Sequence, residues 1–219
     1  PISETWDALR QIAVAGYADA RLATHMLHSA GLVLLGFAAA TLVGVPLGLA
    51  MGWSRSVEAF VNPTFLLLRP IPPLAWIPLA IVWLGLGDAA KVLVIWFAAF
   101  VPALINSYGG VRSIEPHLIE AARMLGASRR VLVCEILVPG ALPMIFTGLR
   151  LSLQACWTTL VAAELIGAIA GLGHVLYQAS LDLFPAMIVV GMVAVAVTAA
   201  VMTLLLGWIE RRAMPWRRA

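Results

Sequence analysis

Between Arg21 and Arg55 the chain carries no Asp, Glu, Lys or Arg, and the same holds between Lys91 and Arg112 and between Asp182 and Glu210. Each stretch can hold the roughly 20 apolar residues that cross a bilayer as a helix. Two more, about 59–87 and 140–164, are apolar apart from Arg69, Arg150 and Glu164. These runs predict an all-α integral membrane chain with five spans. The expected spans are about Leu27 to Met51, Val57 to Gly85, Ala90 to Ser107, Pro139 to Glu164 and Ala186 to Trp208. Charged residues make up only 11% of the chain, against about a quarter in soluble domains, so lipid is its main solvent. No linker, low-complexity tract or internal repeat divides it, and residues 1–219 read as a single transmembrane domain.

Five spans put the termini on opposite sides. With the C-terminus inside, the inner segments hold Arg55, Arg112, Arg123, Arg129, Arg130, Arg211, Arg212, Arg217 and Arg218. The outer segments then hold only Arg10, Arg21 and Lys91, the distribution that the positive-inside rule demands. Residues 1–26 become a periplasmic segment with a short amphipathic helix at Trp6–Val14, and 109–138 become a cytoplasmic loop ended on its membrane side by Gly109-Gly110. The net charge of +3 reflects topology and attraction to anionic lipid and calls for no nucleic acid. Gly36, Gly44 and Gly48, spaced four or eight apart, allow close helix approach in lipid. Cys134 and Cys156 fall at different depths and read as packing residues. The histidines (His25, His28, His117, His174) show no metal-ligand spacing, and no cofactor is expected. Lys91 is the only lysine and is not in a Gly-x4-Gly-Lys-Ser/Thr loop, so any nucleotide must be bound by a partner.

The inner loop, EPHLIEAARMLGASRRVLVCEILVPGALPM from Glu115 to Met144, is a polar, basic island. Leu118, Ile119, Ala122 and Leu125 recur at helical spacing, predicting a short amphipathic helix over Pro116–Leu125. Pro116 suits its first turn and Gly126 its end. A second helix is expected over Ser128–Leu137, running up to Pro139. Within the island Glu120-Ala121-Ala122 is followed by Gly126, Ile136 and Pro139. This resembles the EAA-x3-G-x9-I-x-L-P signature of permease subunits of binding-protein-dependent ABC importers, with Val138 replacing the Leu. The alternative for the island is an ordinary interfacial helix with Arg129 and Arg130 on lipid phosphates.

Further stretches are similar to the sulfonate/taurine/nitrate branch of that family, most of all to taurine-type permeases. They are Arg69-Pro70-x-Pro72-Pro73-Leu74-Ala75-Trp76-x-Pro78, Trp83-x-Gly85-x-Gly87, Leu125-Gly126-Ala127-Ser128, Pro139-Gly140-Ala141-Leu142-Pro143 and Leu160-Val161-Ala162-Ala163-Glu164. The resemblance implies a type I importer permease fold in the bacterial inner membrane and a sixth, N-terminal span absent from this sequence. It also implies a second permease copy, two ATP-binding cassette ATPase subunits and a periplasmic substrate-binding protein. On this reading Glu120, Ala121, Ala122, Leu125, Gly126, Ala127 and Ser128 form the ATPase-coupling surface, and the chain is not itself an enzyme. The implied substrate is a small organic anion, taurine or another sulfonate; nitrate, aromatic acids and pyrimidines are the alternatives within the branch.

Pathway candidates are Arg69, Pro72, Trp76 and Glu164. An arginine within a span costs a few kcal/mol on insertion scales, and the prolines at 70, 72, 73 and 78 remove backbone donors around it. Such backbone is tolerated against protein or a wet cavity, so Arg69 reads either as an anion-attracting group in a pathway wall or as a residue snorkelling or paired with Glu58. Glu164 reads more readily as a capping or pairing group than as a substrate contact, and Arg150 as the partner of an inner-loop carboxylate. A stand-alone secondary transporter would show repeats and paired intramembrane ionisable groups. A membrane enzyme would show a nucleophile–base pair or metal cluster, and none stands out.

Overall fold

The structure, a computed structural model, describes residues 2–167 and 170–218. Positions 1, 168, 169 and 219 lie outside the described residues. A short helix α1 (Ile2–Arg10) and a π-helical turn lead into α2 (Leu22–Trp53) and α3 (Arg55–Leu68). A 3-10 turn (Pro73–Trp76), α4 (Ile77–Leu84) and α5 (Asp88–Arg112) follow. Then come α6 (Pro116–Met124), α7 (Arg129–Val131), a π-helical stretch (Leu132–Leu137) and α8 (Val138–Gly167). The chain continues through α9 (Leu172–Leu181) to α10 (Pro185–Ala213).

Four helical runs are long and apolar enough to cross a bilayer: α2, α5, Arg129–Leu165 and α10. The remaining expected stretch is instead a bent pair, α3 and the Pro73–Leu84 helix meeting at 83°. The cause is local. Pro70, Pro72 and Pro73 bring no N–H, and each disfavours helical backbone in the residue before it. The last turn of α3 closes early, Ile71 N–H donating to the Leu68 carbonyl at 3.1 Å. Arg69 therefore caps the end of α3 rather than lying within a continuous span.

Two other expected boundaries shift. Gly109-Gly110 do not end α5, which runs on to Arg112. Gly110 is there for contact: a Cβ on it would lie 3.0 Å from the Ala141 carbonyl oxygen of α8. Nor does a helix stop at Pro139. The run is continuous from Arg129, because the π-helical stretch moves the bonding register, with Val138 N–H donating to Val133 C=O. That shift accommodates the missing proline N–H.

Helix α5 lies between α2, which runs parallel to it, and α8, which runs antiparallel. Gly36, Gly48 and Gly52 of α2 face α5 so closely that an added Cβ at each would sit 2.5 Å from Ile95, the Leu104 carbonyl oxygen and Val111 respectively. Ala40, on the same stripe, is fully buried. Without water to drive apolar burial, this close packing is what associates helices in lipid. Leu32, Val33, Ile95, Ala99, Leu153, Cys156, Trp157 and Leu160 form the centre of the core. The α3–α4 pair packs on α5. Helices α1, α9 and α10 and the π-helical turn share a smaller cluster around Ile12, Val175 and Met187, so the segment at 2–26 is folded onto the body.

The arrangement collects Arg55, Arg112 and the α6–α7 loop with Arg211 and Arg212 at one end of the bundle. Two ties brace that end. Glu58 of α3 accepts from Tyr108 and Arg112 of α5, and Arg150 of α8 pairs with Glu210 of α10.

Candidate functional site

The α6 loop is built to project. Pro116 starts the helix where its missing N–H is no loss. Ile119 packs against the core, leaving Leu118, Met124 and Leu125 outward at 56%, 83% and 89% exposure. The helix stops in a Schellman motif: Gly126 N–H donates to Arg123 C=O and Ala127 N–H to Ala122 C=O, both at 3.0 Å. Gly126 has φ +82°, a conformation that costs side-chain-bearing residues about 1–2 kcal/mol. Ser128 then opens α7, its hydroxyl accepting from Val131 N–H at 3.4 Å. Of the expected coupling residues, Glu120, Ala121, Leu125, Gly126 and Ser128 are exposed and Ala122 and Ala127 half-buried. Glu120 lies 3.9 Å from His117, a weak exposed pair that leaves its carboxylate accessible.

The second candidate place is the break between α3 and α4. A cavity of about 210 Å³ lies there, bounded by Phe65, Leu68, Arg69, Trp76 and the Trp96–Pro102 face of α5. Its wall is a ladder of rings. Trp76 stacks on Phe97 at 4.3 Å between centroids, Trp96 meets Phe97 edge-on at 5.0 Å, and Trp96 stacks on Phe100 at 4.8 Å. Arg69 and Pro72 are exposed and Trp76 is half-buried. Among the described residues the Arg69 guanidinium has no hydrogen-bond or ion-pair partner. The Glu58 pairing considered for it does not form, since Glu58 sits at the far end of α3 and is taken by Tyr108 and Arg112. Sequence reasoning missed the ring wall, although the spacing of Trp96, Phe97 and Phe100 puts all three on one helix face.

Glu164 lies elsewhere, only 1% exposed. Its carboxylate accepts from Ser29 Oγ at 2.8 Å and Gly173 N–H at 2.7 Å. Ser29 Oγ in turn accepts from Leu172 N–H at 2.9 Å, and His25 Nδ1 accepts from Gly171 N–H at 3.1 Å. With Nδ1 an acceptor, His25 carries its proton on Nε2 and donates it to the Tyr17 carbonyl at 3.0 Å. Three side chains from α2 and α8 thereby satisfy three N–H groups at the start of α9, where a negative charge is also favoured. Its contacts here are those of a cap and do not include the Arg69 cavity.

Residues 40–218 match the family of binding-protein-dependent transport system inner membrane components. The chain is 41% identical over 201 residues to the taurine transport system permease protein TauC of Escherichia coli, covering 92% of this chain and 73% of that protein. It is 33% identical over 185 residues to the putative aliphatic sulfonates transport permease protein SsuC of Bacillus subtilis, with 84% and 67% covered. The fold also matches a chain of the MetNI methionine ABC transporter in an inward-facing conformation (TM-score 0.71, 22% identity, 88% of this chain and 95% of that one). This protein is therefore a membrane-embedded permease subunit with the type I ABC importer fold, a member of the binding-protein-dependent transport system inner membrane component family.

Proposed function

We propose that this permease carries a small organic sulfonate, taurine or a close analogue, across the inner membrane, delivered by a periplasmic binding protein and driven by ATP hydrolysis on a partner. The observation that carries the coupling half of this reading is α6, a short helix held by Ile119 that presents bare Leu118, Met124 and Leu125. Exposed apolar side chains beside a rigid turn are a docking surface for protein rather than for water. Glu120, Ala121, Ala122, Leu125, Gly126, Ala127 and Ser128 form the face of this chain that fills a groove of an ATPase subunit. Two permease copies and two ATPases form the working assembly. The end of the bundle rich in arginine faces the cytoplasm, with the C-terminus and residues 109–138 there and residues 1–26 in the periplasm. The substrate half is supported by the names of the relatives, taurine and aliphatic sulfonate permeases, and by the unpartnered Arg69. Reconstitution with ATPase and binding protein into proteoliposomes tests it: ATP-dependent uptake of labelled taurine is expected. Uptake of nitrate with no uptake of any sulfonate would replace this substrate class.

A further inference from the structure

The cavity at the α3–α4 break has three properties that together describe a ligand. First, its mouth carries a guanidinium with no partner among the described residues. Five donors in a planar fork match the oxygens of a sulfonate or carboxylate. Second, the wall opposite is made of stacked rings, Trp76 on Phe97 and Trp96 on Phe100, which offer faces but few polar groups. Third, the backbone at the rim is under-bonded, since Pro70 and Pro73 stand where the carbonyls of Leu66 and Arg69 would find their helical donors. Exposed carbonyls of this kind need water or a ligand within a membrane. The space, about 210 Å³, admits a small organic molecule.

The depth is right for transit. Arg69 lies 14 residues along α3 from its basic end, about 20 Å of helix. Trp96, Phe97 and Phe100 lie two to three turns into α5 from the opposite end. The ring wall is thus set well inside α5, away from both of its ends.

We propose that this cavity is a binding site for small organosulfonates, with the sulfonate oxygens on Arg69 and the carbon body against the Trp76–Phe97 and Trp96–Phe100 faces. A bare inorganic oxyanion leaves the aromatic wall uncovered and is held less well. The site therefore selects within the anion class after release from the binding protein. It rests on the importer reading for its use, but its occupancy is measurable without transport.

The test uses the permease–ATPase assembly in nanodiscs and trifluoropropanesulfonate as a fluorine NMR probe. Line broadening by the wild type is expected, relieved by excess taurine but not by equal nitrate or sulfate. Arg69→Gln should raise the apparent dissociation constant at least about tenfold, the loss of a charge-assisted hydrogen bond, and Arg69→Lys should restore part of it. Trp96→Leu should weaken the probe severalfold while Arg69 remains; melting temperatures would certify that each variant is folded. Broadening that survives Arg69→Gln overturns the site, and so does equal competition by nitrate. Abolition of the signal by phosphatidylglycerol in the nanodisc would mean that the arginine holds a lipid headgroup, which also overturns it. Taurine uptake by the same wild-type assembly in proteoliposomes judges the importer reading separately.

Discussion

At the scale of single residues, Gly126 and Glu164 do opposite jobs, one by lacking a side chain and the other by filling a gap. No heavy atom lies within 4 Å of where a Gly126 Cβ would stand, so any effect of substitution comes from the backbone at φ +82°. Gly126→Val should cost about 1–2 kcal/mol at that turn and lower ATP-dependent uptake while membrane insertion, followed by expression level, is unchanged. Gly126→Asn, which tolerates the left-handed region better, should retain more uptake than Gly126→Val. Equal, full uptake by both would show that the shape of this turn does not matter for coupling. Glu164→Ala removes the acceptor for Ser29 Oγ and Gly173 N–H and leaves two buried donors bare. A loss of roughly 2–4 kcal/mol is expected, read as a lowered melting temperature of the purified chain in detergent. Glu164→Gln, which keeps one acceptor, should lose less.

At the scale of elements, the α2–α5 seam depends on its glycines. A Gly48 Cβ would meet the Leu104 carbonyl oxygen at 2.5 Å, and a backbone oxygen cannot swing away. Gly48→Ala should therefore force the helices apart and destabilise by about 1–3 kcal/mol, whereas Gly31→Ala, with nothing within 4 Å, should leave the melting temperature equal or higher. If both substitutions behave alike, packing at the seam is not what joins these helices. This seam was visible in the spacing of Gly36, Gly44 and Gly48, and four of the five spans and the short helix ending at Gly126 were also legible. Arg150 does pair with a carboxylate, but with Glu210 of α10 rather than one in the inner loop. What spacing could not show was which breakers break. Prolines bend the chain at Arg69, yet Pro139 is absorbed by a π-helical register, and Gly109-Gly110 pass straight through α5 because α8 lies against them. Tertiary contact decides each case, and one-dimensional pattern does not contain it. The capping role expected of Glu164 is met, but its partners were hidden for the same reason, since Ser29 and Glu164 stand 135 residues apart.

At the scale of the whole molecule, the basic end is both the braced end and the end that projects α6. Glu58 with Arg112 and Arg150 with Glu210 tie neighbouring helices there. The π-helical stretch Leu132–Leu137 carries that link onward, since α6 packs on it and it continues unbroken into α8. If α6 is the docking element, its outward apolar residues should matter for assembly and not for folding. Met124 and Leu125 are 83% and 89% exposed, so replacing them by serine removes almost no intramolecular packing. Burying such a side chain at an interface contributes about 1.5–3 kcal/mol, which corresponds to roughly a 10- to 100-fold change in affinity. Met124→Ser and Leu125→Ser should thus weaken ATPase association by about that much in a pull-down or sedimentation assay, with the melting temperature of the permease alone unchanged. Glu120→Gln should do far less, because one exposed charge at an interface rim contributes under about 1 kcal/mol. Undiminished association of the Met124→Ser, Leu125→Ser double variant would place ATPase docking elsewhere on the basic end. A lowered melting temperature would instead make α6 part of the permease's own packing.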